Sequence, residues 1–236
     1  QHMLRSTGGA EGFAPSYEIQ SWLEAASAQR PGQICEIGFN TGSSALAWLC
    51  TFPGAAYTAF DLMRYNQSRE AKEFLLHAFG RDRMKVVAGD TLETLPSYAR
   101  SHPRSCDVMS VDGGHSLRIA YSDLSNMRLL ARSASNLVVM DDLRCGWGWC
   151  VEPTAAWQYL RQAGVLRESG CSVMGCCSGW CFGEYDLNAS QPDASGLCDA
   201  TSSSISASRC RKSTAPAAER FPSREGYEEL RRAGGA

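Results

Sequence analysis

The chain has 236 residues, 44% of them hydrophobic and 20% charged, which is enough for one well-filled α/β core and too few for two full catalytic domains. Its formal net charge of -2 and its scattered basic residues argue against a nucleic-acid-binding protein. The longest apolar runs fall short of the roughly 20 residues that a membrane span needs, and the amino terminus has no signal-peptide pattern. We expect a soluble, cytoplasmic protein, although the opening Gln1-His2-Met3 leaves open a targeting segment that has been lost.

Eleven cysteines are a high number for such a chain. Cys35, Cys50 and Cys106 lie within apolar runs, where a free thiol behaves as a small buried hydrophobic group. Most of the others are grouped late in the sequence, and no pair among them has the two-residue gap of a zinc knuckle: Cys145, Cys150, Cys171, Cys176, Cys177 and Cys181. The pattern favours buried free thiols and leaves disulfides and structural zinc as alternatives.

Helix-like and strand-like segments alternate along the chain, a pattern typical of a parallel sheet covered by helices. In chain order we predict a helix over 17–28, a strand over 33–38, a helix over 43–49, a strand over 56–60, a helix over 68–79, a strand over 84–88 and a helix over 92–100. A strand over 106–111, a helix over 119–130, a strand over 137–140, a helix over 153–163 and a hairpin within 171–185 follow.

These elements assign residues 1–185 to one domain. Residues 186–236 are rich in Ser, Ala and Pro, with few large apolar side chains. Such a composition cannot bury enough surface to offset the entropy of ordering. The sequence therefore predicts a flexible tail after residue 185.

A glycine-containing turn joins the first predicted strand to the following helix, in the stretch Glu36-Ile-Gly38-Phe-Asn40-Thr-Gly42-Ser. Glycines allow a tight turn and a close approach of a ligand to the backbone, and the start of the helix offers unpaired N–H groups. Asn40 stands where a dinucleotide-binding turn has its middle glycine. The turn thus favours a ligand without a pyrophosphate, with a purely structural turn as the alternative.

Acidic residues end the next two predicted strands. Asp61 lies about 20 residues after the turn, where an acid accepts hydrogen bonds from ribose hydroxyls. Asp90 ends the third strand, where it could reach the exocyclic amine of an adenine. Helix capping is the alternative for both residues.

Two further acidic motifs follow the fourth and fifth strands, Asp112-Gly113-Gly114-His115 and Asp141-Asp142. Ligands bind outside the carboxyl ends of parallel strands, so these carboxylates are expected to converge on one crevice. Their mutual repulsion would be relieved by a hard cation such as Mg²⁺, which could also hold substrate oxygens. The alternative is that one acid caps a helix and another pairs with Arg144.

His115 follows a Gly-Gly turn, and its pKa near neutrality suits a general base, with a capping or positional role as the alternative. Trp147, Trp149 and Trp157 follow the fifth strand, where they could line an acceptor pocket or simply cover the sheet edge.

Together, the Glu-Ile-Gly-Phe-Asn-Thr-Gly turn, Phe-Asp, Gly-Asp, Val-Asp-Gly-Gly-His and Met-Asp-Asp resemble the class I S-adenosylmethionine-dependent methyltransferases, closest to the branch of metal-dependent O-methyltransferases. The resemblance covers roughly residues 17–185. It implies a Rossmann-like, mostly parallel seven-stranded sheet with an antiparallel last strand and helices on both faces. It also implies three sets of site residues: Glu36, Gly38, Asn40 and Gly42 around the methionine part of the cofactor, Asp61 at the ribose and Asp90 at the adenine, and Asp112, Asp141 and Asp142 as metal ligands.

The leading hypothesis is transfer of a methyl group from S-adenosylmethionine to a hydroxyl of a small molecule or sugar. Asp112 and His115 would be the catalytic residues, with Mg²⁺ assisting. The alternatives are a catalytically degenerate domain that acts as a scaffold, and an NAD-dependent oxidoreductase, which Asn40 disfavours. The expected partner is a small-molecule acceptor, without nucleic acid or membrane, and a homo-oligomer is compatible with the sequence.

Overall fold

The computed structural model describes residues 14–175, 178–194 and 197. Its central feature is a seven-stranded sheet in the order β3-β2-β1-β4-β5-β7-β6. The strands are β1 (Gln33–Ile37), β2 (Ala56–Asp61), β3 (Met84–Ala88), β4 (Val108–Val111), β5 (Leu137–Met140), β6 (Leu166–Met174) and β7 (Ser178–Tyr185). Within the described residues, no helix is both long enough and apolar enough to cross a bilayer.

The first five strands pair in parallel, and β7 pairs antiparallel with both β5 and β6. This topology confirms the predicted mostly parallel sheet with an antiparallel last strand. The strand order reverses direction between β1 and β4, which is the place where open α/β sheets form their ligand crevice.

Helices cover both faces of the sheet and create two apolar cores. They are α1 (Ser16–Ser27), α2 (Ser43–Thr51), α3 (Asn66–Phe79), α4 (Thr91–Ser101), α5 (Leu117–Arg128) and α6 (Val151–Gln162). One core joins α1, α2 and α3 to the sheet around Trp22 and Trp48, and the other joins α4, α5 and α6 around Leu124 and Trp157. Neighbouring strand residues alternate between the two, as Leu137 and Val138 do, because successive side chains point to opposite faces.

Local signals explain where two of these helices begin. Asp90 caps α4 by accepting a hydrogen bond from the amide of Leu92 at 2.9 Å. Ser116 caps α5 through the amide of Ile119 at 3.4 Å. Both caps satisfy amides that have no partner within the helix, so each helix starts directly after a strand-end motif of the candidate site.

The structure corrects two predicted strand boundaries. Cys106 makes an isolated bridge with Ala131 instead of extending β4, which begins at Val108. The final hairpin starts earlier than predicted, because β6 begins at Leu166. The residues of β6 do not alternate regularly between buried and exposed positions. An edge strand of this kind therefore gives only a weak period-two pattern in the sequence.

The structure contains disulfides at positions where the apolar sequence context predicted free thiols. Cys35 and Cys106 are bonded to each other within the core, so their interpretation as buried free thiols is wrong. Cys145 is bonded to Cys150, and Cys171 to Cys181. Cys50 is free but exposed on α2, contrary to the buried position expected. Of the late cysteines, Cys176 and Cys177 lie outside the described residues.

The chain remains packed for some distance after β7. The backbone oxygen of Asp186 accepts hydrogen bonds from the guanidinium of Arg128, and Gln191 donates to Ser125 on α5 at 2.8 Å. The hydroxyl of Tyr159 donates to the backbone oxygen of Asp193 at 2.8 Å. Contacts with α5 and α6 thus continue past residue 185. Residues 195, 196 and 198–236 of the predicted tail lie outside the described residues.

Candidate active site

The carboxyl ends of β2, β1, β4 and β5 lie side by side at one edge of the sheet. Hydrogen bonds continue the ladder just past the strand ends, from Gly38 N to Phe60 O at 2.9 Å and from Asp112 N to Ile37 O at 3.0 Å. Asp141 N reaches the oxygen of Val111 at 3.0 Å in the same way. The motifs that follow these four strands are therefore brought to one edge, as the sequence predicted.

The turn after β1 is shaped by glycine. Gly38 has a φ of +92°, and a Cβ built on it would lie 1.8 Å from the backbone oxygen of Asp112. Gly42 has a φ of +72° and forms the N-cap of α2. The turn therefore passes directly against the end of β4, and the amides at the start of α2 are placed at the same sheet edge.

Glu36 is buried beneath this turn, with a side chain that is 1% exposed. Its carboxylate accepts hydrogen bonds from Ser44 at 3.0 Å, from the indole of Trp48 at 3.3 Å and from the hydroxyl of Tyr57. Ser110 on β4 is a further partner. Burial raises the pKa of Glu36 to about 7, against the opposing effect of these hydrogen bonds. Glu36 thus ties α2 and three strands together.

Asp61 connects the end of β2 to the glycine turn. One carboxylate oxygen accepts a hydrogen bond from the amide of Asn40 at 3.0 Å, and the other accepts one from the amide of Met63 at 2.5 Å. Asp90 lies one strand further out and uses one oxygen for the α4 cap. Because a carboxylate has about four acceptor positions, these contacts leave capacity for ligand hydroxyl or amine donors.

Asp112, His115 and Asp142 form the most polar group at this edge. Their potential ligand atoms all lie within 4.8 Å of one another, and Nε2 of His115 lies 2.7 Å from Oδ2 of Asp142. Burial and the charge of Asp142 raise the pKa of Asp112. Burial disfavours the charged form of His115, but the hydrogen bond and charge of Asp142 outweigh it and raise the pKa of that imidazole.

Glu18 influences Asp141, and the sequence analysis did not single it out as a site residue. Burial, the charge of Asp112 and a carboxyl–carboxylate contact with Glu18 raise the pKa of Asp141. Glu18 belongs to α1 and is 1% exposed. It occupies the buried helical stripe that continues through Trp22 and Ala26, so an acid at that periodic position was the available signal.

A disulfide-closed loop with two stacked tryptophans lies beside Asp142. The rings of Trp147 and Trp149 are 4.9 Å apart and 7° from parallel. The indole of Trp149 donates a hydrogen bond to Oδ1 of Asp142 at 3.2 Å, and Cys145–Cys150 closes the loop. Trp157, by contrast, is fully buried and donates to Glu168, so it belongs to the core.

The carboxylate-rich edge fits a divalent cation in the chemistry of its donors. Hard cations prefer carboxylate oxygens, and Asp112 and Asp141 are held close to other acids in an environment that opposes their charge. When protonated, His115 offsets part of the charge of Asp142. Of the three aspartates expected as metal ligands, Asp112 and Asp142 belong with His115 to the group whose ligand atoms lie within 4.8 Å, whereas Asp141 is outside it and accepts a hydrogen bond from the amide of Asp142 at 2.6 Å. The set of three carboxylate ligands remains a prediction.

Residues 35–143 match a family model described as a methyltransferase domain. This span runs from β1 to the loop after β5 and includes the site motifs. Residues 35–143, a little under half of the chain, are therefore similar to a methyltransferase domain. The match and the sheet order both support the family expected from the sequence.

Known proteins with similar sequences or folds agree with this assignment. The chain is 30% identical over 136 residues to the O-methyltransferase hkm8 of Aspergillus hancockii, an alignment that covers 55% of this chain and 50% of that protein. The chain thus spans about half the length of this curated relative. The SAH-bound methyltransferase PaMTH1 of Podospora anserina has a TM-score of 0.63 and 16% identity over 78% of this chain and 85% of its own. The O-methyltransferase TomG of Streptomyces achromogenes, solved with SAM, has a TM-score of 0.62 and 15% identity over 78% and 86%, respectively. At these identities the structures establish a shared fold.

Proposed function

We propose that the protein transfers a methyl group from S-adenosylmethionine to a hydroxyl of a small-molecule acceptor. The observation that carries this proposal is the grouping of Asp112, His115 and Asp142 within 4.8 Å at the strand ends beside the glycine turn. Such a reaction needs two parts. One is a turn that can bind a nucleoside ligand, and the other is a base next to clustered carboxylates. The relatives hkm8 and TomG, both O-methyltransferases, support the choice of oxygen as acceptor.

The cofactor would lie across the ends of β1 and β2. Its methionine part would rest against the backbone of the turn from Gly38 through Asn40 to Gly42, and Asp61 would accept hydrogen bonds from the ribose hydroxyls. The carboxylate of Asp90 has acceptor positions that the helix cap does not use, and these would accept hydrogen bonds from the adenine amine. Glu36 is enclosed by its own hydrogen bonds, so we assign it the role of holding the turn in place for the cofactor.

Asp112, Asp141 and Asp142 would hold a divalent cation such as Mg²⁺. When bound, the cation would supply Lewis-acid polarisation of the acceptor oxygen. The three carboxylates would keep that charge at the edge of the methyl-transfer site. Their positions after two neighbouring strands make the arrangement rigid, because both backbones belong to the central sheet.

His115 would remove the proton of the acceptor hydroxyl. Its Nε2 is engaged by Asp142, which leaves Nδ1 to take the proton while the carboxylate stabilises the imidazolium. The face of Trp147 and Trp149 would border the acceptor, since Trp149 is fixed to Asp142. Methyl transfer then depends chiefly on alignment of the acceptor oxygen with the methyl carbon.

A methyl-transfer assay with labelled S-adenosylmethionine and a panel of hydroxylated small molecules tests this proposal. We expect Asp112→Asn to abolish turnover while binding of S-adenosylhomocysteine changes little, because Asp112 faces the acceptor side. The exposed residue Asp82 provides the matched control, Asp82→Asn, which should retain full activity. Full activity of wild type in the presence of a chelator would remove the cation from the proposal. Cofactor binding without turnover of any acceptor would favour the degenerate scaffold instead.

A further inference from the structure

The loop after β5 holds Asp142 in a backbone conformation that is uncommon for residues other than glycine. Asp142 has a φ of +56°, and Arg144, two residues later, has a φ of +59°. Left-handed backbone costs free energy in a residue that carries a Cβ, and it persists only where surrounding contacts hold it. Because the carboxylate of Asp142 pairs with His115, the contacts that hold this loop also decide where the proposed base lies.

The side chain of Arg144 ties the loop to β6. Its Nη2 donates to Oε2 of Glu168 at 2.6 Å, so the ion pair that the structure shows for this arginine is with β6. The indole of Trp157 donates to the same oxygen at 2.7 Å, and the Glu168 side chain is only 15% exposed. Trp157 is fully buried in the core. Glu168 is therefore a fixed anchor for the arginine.

Backbone hydrogen bonds hold the same loop from two further elements. The amide of Arg144 donates to Oγ1 of Thr154 on α6 at 2.8 Å, and the amide of Leu143 donates to the backbone oxygen of Gly179 on β7 at 2.7 Å. A Cβ built on Gly179 would lie 2.1 Å from the backbone oxygen of Leu143, so β7 and the loop are in direct contact. The loop is thus held by α6, β6 and β7, and Arg144 supplies the contacts to α6 and β6.

We propose that Arg144 is a positioning residue, which holds the Asp142–His115 pair in place through Glu168. This inference rests on the proposed function, because it concerns the base that would remove the acceptor proton. The side chain of Arg144 is 34% exposed, and ion pairs at such positions contribute little to stability. Its effect is therefore expected in the alignment of the reacting groups, where a small displacement is costly.

The kinetics of Arg144→Gln test this role. The variant loses the positive charge, and its kcat should fall by about tenfold or more, as expected when an aligned group is misplaced. Its affinity for S-adenosylhomocysteine should be unchanged, since the cofactor would lie across the ends of β1 and β2. Arg144→Lys keeps the charge and should restore most of the wild-type kcat. Arg161→Gln is the matched control and should keep the wild-type kcat, because Nη1 of Arg161 lies 3.8 Å from Oε1 of the same acid but belongs to α6.

A double-variant cycle tests whether Arg144 acts through Glu168. Glu168→Gln should lower kcat as Arg144→Gln does. The double variant should lose little more than either single variant, because both changes remove the same interaction. Losses that multiply in the double variant would show that the two residues act independently, which would contradict the proposal.

The ring resonances of His115 give a measurement that does not depend on turnover. At one fixed pH they should shift in Arg144→Gln, because the carboxylate that contacts the ring moves, and they should stay in place in Arg161→Gln. Thermal unfolding should show a similar, small loss of Tm in both variants. If Arg144 served stability alone, the kcat and the His115 resonances of Arg144→Gln would match wild type well below the Tm, and that result would overturn the proposal.

These measurements separate the positioning role from the proposed function. If wild type methylates no acceptor while the His115 resonances still shift in Arg144→Gln, the proposed function fails and Arg144 still holds the pair. If wild type is active and Arg144→Gln keeps its kcat, the proposed function stands and the role of Arg144 is wrong, whether or not the resonances shift.

Discussion

Nε2 of His115 lies 2.7 Å from Oδ2 of Asp142, and this pair joins the loop after β4 to the loop after β5. The partner carboxylate is fixed in turn by the indole of Trp149 at 3.2 Å. An imidazole held in this way has one nitrogen engaged and a definite orientation, which is the arrangement expected of a general base. Its raised pKa is a direct consequence of the pairing.

The first prediction concerns the pairing of this base. Asp142→Asn should lower the pKa of His115, because the charge that offsets burial is removed while the burial remains. Histidine ring resonances followed by NMR across a pH titration measure this directly. The ring of His77, which is exposed on α3, provides an internal control whose resonances should be the same in both proteins. An unchanged His115 titration in the variant would show that the pair does not form in solution.

The same base has a kinetic signature. His115→Ala should lower kcat by about 10²-fold or more, the usual contribution of general base catalysis. The imidazole must be neutral to accept a proton, so the wild-type rate should fall at acidic pH through the raised pKa, and the variant should lose this limb. His77→Ala is the matched control and should behave as wild type.

Another prediction tests the close approach of the β1 turn to the end of β4. Gly38→Ala should destabilise the fold by about 3 kcal/mol or more, because the added carbon would meet the Asp112 oxygen and the positive φ adds strain. Urea unfolding measures the change. Gly54→Ala is the control, since its Cβ would meet nothing within 4 Å. Equal stability of the two variants would contradict the described packing.

The stability of the fold should also depend on a buried acid of α5. Burial raises the pKa of Asp123 from its ordinary 3.8 to about 7, so the folded state holds a proton that the unfolded state releases. This contribution is fully present below pH 3.8 and is lost as the pH rises through about 7. The free energy of unfolding should therefore fall across this range by about 1.4 kcal/mol per pH unit for this group.

Urea unfolding at a series of pH values, with Asp123→Asn, isolates this dependence. The variant should show a shallower fall, whereas the exposed control Asp82→Asn should keep the wild-type slope. Glu36 adds a fall of the same sign between 4.5 and about 7, so some slope should remain in the variant. Parallel curves for Asp123→Asn and wild type would refute the assignment to Asp123.

The loop closed by Cys145–Cys150 should respond to reductant. Opening the disulfide frees the stacked Trp147 and Trp149, so we expect a red shift of tryptophan fluorescence and a higher KM for the acceptor. The double variant Cys145→Ser/Cys150→Ser should match the reduced wild type and should not respond to reductant at this loop. If the variant instead matches the oxidised wild type in both measurements, the disulfide does not order the aromatic wall.

The sequence was most informative where local rules decide the structure. The turn from Glu36 to Gly42 could be located because glycines and a strand-to-helix change of period coincide there, and the strand-end acids followed from the alternation of elements. A parallel sheet with short connections leaves few topologies, so its edge could be predicted to gather Asp61, Asp112 and Asp141.

The same local rules could not predict contacts between segments that are distant in the sequence. The pairing of Cys35 with Cys106 joins two apolar runs that each looked complete as a buried strand, and spacing alone does not determine connectivity. Glu18 belongs to a helix that seemed only to cover the sheet, and its contact with Asp141 depends on how α1 docks. The engagement of Glu36 by Tyr57 and Trp48 likewise arises from tertiary packing.

Calorimetric titration of the purified chain with S-adenosylhomocysteine, compared with NAD, is the most direct test of a cofactor site at this sheet edge. We predict binding of one equivalent of S-adenosylhomocysteine, no binding of NAD, and at least tenfold weaker binding in Asp61→Ala than in the exposed control Asp82→Ala. Binding of NAD alone, or S-adenosylhomocysteine affinity that is indifferent to Asp61, would contradict the account.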